Sequence, residues 1–270
     1  MTNAFMTPSM VLRATEVLVG LAIIVSSAEM IARRTQLTDG GLLSWKVSRT
    51  RAAWLEQQSA LSYIFEYPRV LAVVWARVAA GVVLILPVNG KLHFASAIAL
   101  FVSSVLLTIR TPVGNDGADQ MTTIVLAGVV AAHACKSFGV EAAFWFIAVQ
   151  ACMSYGTSGI AKLVSPEWRS GQGLIGVMGT EVFGESGVRN ILECNAWLPI
   201  VLSWSVIGFE CCYVMSLLLP LRLLVGLSVL AGLFHAGAAR VMGLNNFVLA
   251  FVSTYPAIFH CWSVLHRYPL

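Results

Sequence analysis

Long apolar runs separated by short polar breaks dominate the pattern along this chain. Runs of this kind predict membrane-spanning helices, because a helix needs about 20 apolar residues to cross the hydrocarbon core of a bilayer. The pattern predicts about eight spans, at Met10–Ile31, Val70–Pro87, Leu92–Ile109, Met121–Ala134, Val140–Val164, Ala196–Leu219, Leu221–Met242 and Asn246–Leu265. The predicted fold class is therefore all-α, a polytopic helical bundle embedded in a membrane, with residues 1–270 forming a single domain.

Two longer polar stretches interrupt this pattern. Residues 33–69 place Arg49 beside Trp45 and Trp54, a mixture that predicts an amphipathic helix at the membrane surface, with a solvated loop as the alternative. This region is also the richest in Lys and Arg, so the positive-inside rule places it in the cytoplasm and the N-terminus outside. Residues 165–195 form a polar connection whose apolar patches predict short helices, packed against the bundle or re-entering it.

Composition agrees with a membrane protein. The chain is 58% hydrophobic and 11% charged, with a mean hydropathy of +0.80, whereas a soluble domain carries about 25% charged residues. No basic run is interleaved with aromatic residues, so nucleic acid is not an expected partner. The six cysteines show no C-x-x-C spacing, so neither a metal site nor a disulfide framework is expected. No small-residue cleavage site follows the first apolar run, which is therefore predicted to be a retained span.

Several polar residues near the predicted helix ends have structural interpretations. Asp119 lies near the start of the fourth run and is predicted to cap that helix, whereas Asp116 has no predicted capping role. Arg13 and Glu16 are three residues apart, a spacing that allows a pair on one helix face. Interfacial anchoring near the helix ends is the alternative, and it is the favoured interpretation. Four histidines near helix ends are also predicted to be interfacial: His93, His133, His260 and His266.

Four ionisable residues lie deep in apolar sequence: Lys162, Glu210, His235 and Arg77. Ionisable residues inside a membrane face the protein interior or a wet cavity and mark functional pathways. Glu210 is either protonated or paired with a cation such as Arg77 or Lys162, and both a structural ion pair and a functional carboxylate are open. His235 is more typical of a buried hydrogen-bonding histidine than of a base, and Arg77 is predicted to be a structural partner.

Lys162 is the main candidate for chemistry. Helical spacing places it on one face with Tyr155, Ser158 and Gly159. A lysine at the centre of a membrane helix costs about 3 kcal/mol, so it must reach an interface, find a partner or lose its proton. A neutral lysine amine is a general base, whereas a lysine that extends to the interface is only an anchor.

The stretch around this lysine also resembles a known family. Residues 155–174, YGTSGIAKLVSPEWRSGQGL, resemble the signature of the horizontally transferred transmembrane (HTTM) domain, the membrane part of vitamin K-dependent gamma-carboxylases and their bacterial relatives. The matching positions are Gly159, Lys162, Leu163, Trp168 and Gly171. Leu233–Phe251, LFHAGAARVMGLNNFVLAF, resembles the family's later Phe-His element, and NDGADQ before the fourth run is a third, weaker match.

The resemblance implies a helical bundle with an internal cavity, in which Lys162 is the base that deprotonates a reduced, vitamin K-like quinone. His235 and Glu210 are the further catalytic candidates, and Tyr155 and Trp168 are the candidate quinone contacts. Carboxylases of this family continue into a large soluble domain, whereas this sequence ends at Leu270. In size it is closer to the short bacterial members, including those that mature sporulation-delaying peptide toxins.

Two functions follow as expectations. The first is the maturation or modification of a secreted peptide by quinone-dependent chemistry in the bacterial cytoplasmic membrane. Its partners are the lipid bilayer, a small secreted peptide and a soluble helper protein. The second is a non-enzymatic membrane partner, such as a chaperone, immunity factor or transport component, that binds a peptide or a small lipophile.

Overall fold

The computed structural model describes residues 6–51, 59–111, 115–135 and 137–267, so Trp54 of the predicted interfacial segment lies outside the described residues. Every regular element in the described ranges is helical, which confirms the all-α class. Five helices there are long and apolar enough to cross a membrane: Pro8–Ala32, Gly90–Arg110, Phe138–Val164, Leu221–Met242 and Asn245–Leu265. A sixth crossing results if Ser186–Cys194 and Leu198–Tyr213, bent by 108°, form one span. These helices indicate a multi-pass membrane protein, while the predicted count of about eight spans is not confirmed.

The chain divides into two compact units. The first unit comprises Met6–Phe144 and Leu249–Pro256. The second comprises Trp145–Val248 and Ala257–Leu270 in the part of the chain that the structure describes. Each unit is described by itself below.

The first unit is built around four long helices. Its helices are α1 (Pro8–Ala32), α2 (Trp45–Ser48), α3 (Ser59–Phe65), α4 (Val70–Ile85), α5 (Gly90–Arg110) and α6 (Gly117–Ala134). Helix α1 packs against α4 and α6, and α5 packs against the same two helices. A close approach joins Gly20 of α1 to Gly81 of α4. A Cβ on Gly20 would lie 2.9 Å from the Gly81 carbonyl oxygen, so only glycine allows the two backbones this close.

Helix α6 begins earlier than the apolar pattern predicts. Asp116 is its N-cap, and its side chain accepts hydrogen bonds from the backbone N–H groups of Ala118 (2.9 Å) and Asp119 (3.1 Å). The Asp119 carboxylate accepts in turn from the Asp116 N–H at 3.4 Å, which completes a capping box. The expectation that Asp116 has no capping role is therefore wrong. Asp119 caps as predicted, from one turn inside a helix that begins at Gly117.

The described part of residues 33–69 is not one surface helix. It consists of α2, α3 and two 3₁₀ turns, Arg34–Leu37 and Arg49–Arg51. Trp45 and Phe65 are 3% and 1% exposed, and their rings meet edge to face with centroids 4.9 Å apart. Leu106 and Ile109 of α5 pack against this pair. Trp45 and Phe65 therefore pack against the end of α5. The position of this segment at the membrane surface stays a prediction.

Arg110, at the C-terminus of α5, connects this helix to the segment of residues 33–69 by hydrogen bonds. Its side chain is fully buried, and its guanidinium donates hydrogen bonds to three backbone carbonyls: those of Phe65 (3.0 Å), Leu43 (3.1 Å) and Leu37 (3.4 Å). These carbonyls lie in short turns or at helix ends, where no following helical N–H group donates to them. The buried cation therefore completes the backbone hydrogen bonding of the preceding segment.

The second unit contains most of the predicted site. Its helices are α7 (Ser137–Val164, from Trp145 onward), α8 (Pro166–Arg169), α9 (Gln172–Met178), α10 (Ser186–Cys194), α11 (Leu198–Tyr213), α12 (Leu221–Met242) and parts of α13 (Asn245–Val252) and α14 (Tyr255–Leu265). Helices α8 to α10 confirm the short helices predicted for residues 165–195, and α8 and α9 pack against α11. Gly171 joins α8 to α9 in a left-handed conformation (φ 80°), and a Cβ there would lie 2.7 Å from the Pro199 backbone.

Candidate functional site

Lys162 and Glu210 form a buried ion pair between the last turn of α7 and the last turn of α11. The Lys162 Nζ lies 2.9 Å from Glu210 Oε1 and 2.7 Å from Oε2. It also donates to Ser158 Oγ at 2.6 Å, and this hydroxyl donates to Glu210 Oε1 at 3.1 Å. The side chains of Lys162 and Glu210 are only 16% and 4% exposed. Of the alternatives open for Glu210, the structure has a pair with Lys162.

Gly159 allows this direct contact. It lies on the same helix face as Ser158 and Lys162, as the spacing predicts. A Cβ on Gly159 would lie 2.9 Å from both the backbone nitrogen of Cys211 and the Cβ of Glu210. The absence of a side chain therefore brings α7 and α11 close enough for a short ion pair.

Trp168 covers the lysine from α8. The Lys162 Nζ lies 5.3 Å from the centroid of its indole ring, within the range of a cation–π interaction. Ser165 caps α8 by accepting from the Trp168 N–H at 3.2 Å. The Ser165 hydroxyl also donates to the exposed Glu167 carboxylate at 2.8 Å, which lowers the pKa of Glu167. A Cβ on Gly173 would lie 3.0 Å from Trp168 Cγ, so α9 packs directly against the ring.

Tyr155 and His235 form a second contact in this unit. The Tyr155 hydroxyl lies 2.8 Å from His235 Nε2, and both residues are 3% exposed. The Tyr155 ring contacts Phe209 and Tyr213, with centroids 5.5 and 4.1 Å away. Tyr155 precedes Lys162 by two helical turns, about 10 Å along the axis of α7. The predicted site residues therefore fall into two groups, an ionic one with Lys162 and an aromatic one with His235.

Arg77 has partners of its own in the first unit. Its guanidinium donates to Ser103 Oγ at 3.2 Å and to Ser104 Oγ at 2.9 Å, both on α5. The residue is 6% exposed. This arrangement agrees with the predicted structural role of Arg77, and it bonds α4 to α5 where both helices are apolar.

A second ionic cluster, centred on Glu16 of the first unit, was not expected. Glu16 is 2% exposed, and its Oε1 lies 2.6 Å from His133 Nε2. Its Oε2 lies 3.2 Å from His93 Nδ1 and 3.1 Å from Arg13 Nη1. Arg13 pairs with Glu16, as one of the two interpretations of these residues expects. His93 and His133 contact the same carboxylate, and their position at a membrane interface stays a prediction. Their helix ends meet around the carboxylate.

The sequence contains a signal that would have suggested this cluster. A carboxylate lies two turns inside an apolar run, and a histidine stands at the end of each of two later runs that are candidates to pack beside it. Of the other two histidines expected at an interface, His260 is 3% exposed and His266 is exposed. Within the described ranges, no group of three His, Cys, Asp or Glu side chains is arranged to hold a metal ion.

These features define a multi-pass helical membrane protein with a buried Lys–Glu pair in its second unit. Comparisons of the chain with protein-family models, with curated proteins and with solved structures find no match. The resemblance to the HTTM domain therefore remains a prediction from the quoted motifs.

Proposed function

We propose that this protein is an HTTM-type enzyme of the bacterial cytoplasmic membrane that modifies a secreted peptide by quinone-dependent chemistry, with Lys162 as the base. The observation that carries the proposal is the contact of Lys162 Nζ with both carboxylate oxygens of Glu210 in a largely buried setting. Ionisable groups held away from water within a membrane protein are costly, and their usual role is a proton or substrate pathway.

The pair is suited to moving a proton. Separated from water, an ammonium and a carboxylate are both disfavoured, and a proton that passes from Nζ to Glu210 leaves two neutral groups. Lys162 is then a neutral amine that can accept a proton at Nζ. Ser158 holds that nitrogen in place at 2.6 Å. Glu210 thus accepts the proton of Lys162 and keeps the lysine amine available as a base.

The chemistry of the surrounding side chains supports a reduced quinone as the cofactor. Such a molecule supplies an acidic phenolic O–H and two electrons when it is bound. Lys162 and Ser158 offer polar contacts to a hydroxyl group, and the indole of Trp168 offers an aromatic face beside Nζ. The aromatic group of Tyr155 and His235 is the second candidate contact for a flat, apolar ring.

A non-enzymatic binding protein is the second candidate function, and one observation favours it. The charge of Lys162 is matched by Glu210, and the pair joins α7 to α11 as a purely structural ion pair would. In that case the protein binds a peptide or a small lipophile as a membrane partner, and the lysine never needs to lose its proton.

The substitution Lys162→Arg distinguishes the two functions. Arginine keeps the positive charge and can bind Glu210, but it does not act as a base. We expect the variant to fold and to lose quinone-dependent activity by about 100-fold or more. The measurement is oxygen uptake by purified protein in nanodiscs supplied with reduced menaquinone, together with mass analysis of any small secreted peptide encoded beside its gene.

The matched control is Lys46→Arg, because Lys46 forms an exposed ion pair with Asp39 at 2.6 Å. This control should retain full activity. Full activity in Lys162→Arg would leave the lysine only an anchoring role. A wild-type protein that neither contains nor responds to a quinone would contradict the enzyme proposal and favour the binding protein.

A further inference from the structure

A layer of buried hydroxyl groups crosses the interior of the first unit. Helices α1 and α5 run away from the Glu16 cluster, and α6 runs towards it. Each of these three helices has a buried hydroxyl residue eleven positions from its member of the cluster (Glu16, His93 and His133 in turn): Ser27, Ser104 and Thr122. Eleven residues are about three helical turns, or about 16.5 Å. The three hydroxyl residues therefore lie on the same helix faces as the cluster and share a second level of the bundle.

Arg77 joins this level from α4, whose last carbonyls accept hydrogen bonds from Arg13 at the Glu16 cluster. The Arg77 Nη1 donates to Ser104 Oγ at 2.9 Å and to Ser103 Oγ at 3.2 Å. Helices α4 and α6 each pack against both α1 and α5, so the four helices form a ring. Inward-facing side chains at one level of such a bundle meet near its axis. The Arg77 layer, as we call it, therefore consists of four buried residues from four helices: Ser27, Arg77, Ser104 and Thr122.

Two hydroxyls of the Arg77 layer lack hydrogen-bond partners. Ser27 and Thr122 are 1% and 3% exposed, and among the described residues nothing bonds to Ser27 Oγ or Thr122 Oγ1. The next residue along α6 behaves differently, since the Thr123 hydroxyl donates to the Asp119 carbonyl one turn back at 2.9 Å. An unsatisfied buried hydroxyl is unfavourable. These two groups therefore point to a ligand inside the layer.

The Arg77 guanidinium also has unused donors. It carries five N–H groups, and in the described ranges only Nη1 has acceptors, which leaves Nε and Nη2 without one. Arg77 is 6% exposed and makes no ion pair with a carboxylate of the described residues, although Asp119 attracts it from a greater distance. A buried charge without a contacting counter-charge is costly. The layer therefore combines a cation with hydroxyl donors and lacks a contacting negative group among the described residues.

We propose that the Arg77 layer binds one small inorganic anion with the size and charge of chloride. The anion accepts hydrogen bonds from the Arg77 guanidinium and from the hydroxyls of Ser27 and Thr122, and its charge neutralises the arginine. The serine and threonine side chains are smaller than Ile23 and Leu100, which fill the adjacent level, and this leaves space beside the guanidinium. The site lies in the first unit and is separate from the Lys162–Glu210 pair.

Water is the competing occupant of the layer. A water molecule can also accept from Arg77 and bond to the two hydroxyls. It carries no charge, however, so it would leave the guanidinium with only the distant Asp119 carboxylate, which already accepts from the Asp116 N–H in the capping box of α6. The unpaired charge of Arg77 is the reason that an anion is the better occupant.

The test is chloride binding by the full-length protein in nanodiscs. Equilibrium binding of radioactive chloride should show one saturable ion per protein, with empty nanodiscs as the blank. Thermal unfolding is then compared in sodium chloride and in sodium gluconate of equal ionic strength, because gluconate is too large for the layer. A ligand that binds only the folded state stabilises it, so chloride at about 100 times its Kd should shift the folding equilibrium by about 100-fold.

Three variants assign the ion to the Arg77 layer. Thr122→Val keeps the shape of the side chain and removes its hydroxyl, and it should weaken chloride binding by about tenfold or more, since hydrogen bonds to charged groups are strong. Arg77→Met should abolish binding. Thr123→Val is the matched control, because the Thr123 hydroxyl already bonds to its own helix, and it should bind chloride as wild type does.

No bound chloride, with equal unfolding temperatures in the two salts, would overturn the proposal and leave water in the layer. Equal chloride affinity in Thr122→Val and wild type would place the ion elsewhere and would also overturn it. A Thr122→Val protein that is more stable than wild type in both salts would show that the hydroxyl is merely unsatisfied, which again contradicts the proposal.

Discussion

At the scale of single residues, Lys162 and Glu210 each carry a charge whose burial is unfavourable, and their ion pair offsets part of that desolvation free energy. Removing one partner of a buried ion pair leaves an unpaired charge and costs about 3–5 kcal/mol, whereas replacing both by apolar residues is often neutral. We therefore expect Glu210→Leu to be strongly destabilised and the double variant Lys162→Met, Glu210→Leu to recover most of that loss. Denaturation in detergent measures both free energies of unfolding.

This double-mutant cycle also separates stability from function. The recovered double variant should have no quinone-dependent activity, because neither remaining side chain can accept a proton. Losses that simply add in the double variant would mean that the two residues do not stabilise one another.

The residues of this site could be predicted only in part. Spacing alone places Tyr155, Ser158, Gly159 and Lys162 on one face of α7. Spacing within α7 does not show whether Glu210 pairs with Lys162 or with Arg77, because the choice of partner depends on which helices pack against α11. The Glu16 cluster was missed for the same reason: His133 lies 117 residues from its carboxylate partner, and each group alone resembles an interfacial residue.

At the scale of helices, the Gly20–Gly81 contact controls how closely α1 and α4 pack. A methyl group on Gly81 would lie 3.1 Å from the Gly20 carbonyl oxygen and 3.1 Å from an Ile24 side-chain carbon. Because the obstructing atom is backbone, we expect Gly81→Ala to lower the free energy of unfolding by about 1–3 kcal/mol. Thermal or detergent-induced unfolding measures the change.

Gly226 in α12 offers a matched control. It also lies within a long apolar helix, but a Cβ there would meet no other atom within 4 Å. Gly226→Ala should therefore be neutral or more stable by up to about 1 kcal/mol. If both alanines had the same effect, close packing of α1 on α4 would not be the cause.

The helices themselves were the most predictable part of the fold. Each of the eight predicted runs contains an α-helix in the described ranges, and Leu221–Met242 has the bounds of α12. In the run Ala196–Leu219 the α-helix ends at Tyr213, and the run Asn246–Leu265 divides into α13 and α14. Helix α6 begins early because a capping box adds a polar first turn, which hydropathy alone assigns to the preceding loop. For residues 33–69, apolarity marks Trp45 and Phe65 as buried but does not distinguish burial in lipid from burial against α5, so the short helices there could not be predicted.

At the scale of the whole molecule, the question is how many helices cross the membrane. Among the four long helices described for the first unit, length and apolarity identify only α1 and α5 as candidate spans. The Glu16 cluster joins the starts of α1 and α5 to the ends of α4 and α6, so these four helices alternate in direction. Helix α4 has only 16 residues, about 24 Å, yet it packs along α1 and α5. That α4 and α6 cross the membrane together with their neighbours stays a prediction.

This topology predicts which surface positions face which side. In a cysteine-free variant, a single cysteine in place of exposed Thr35 should react with a membrane-impermeant maleimide only after the membrane is opened. One in place of exposed Lys91, at the other end of the unit, should react in intact cells. The positive-inside rule sets this direction. Labelling of both positions from the same side would contradict the alternating arrangement of α1, α4 and α5.

The three backbone carbonyls that accept hydrogen bonds from Arg110 are synthesised well before Arg110 during translation. Phe65, Leu43 and Leu37 precede it by 45, 67 and 73 residues. At about 5–20 residues per second, the ribosome takes several seconds to supply their partner. During synthesis the preceding segment must therefore keep these oxygens hydrated at the membrane surface, and it closes only when α5 has been inserted and its last residue has emerged.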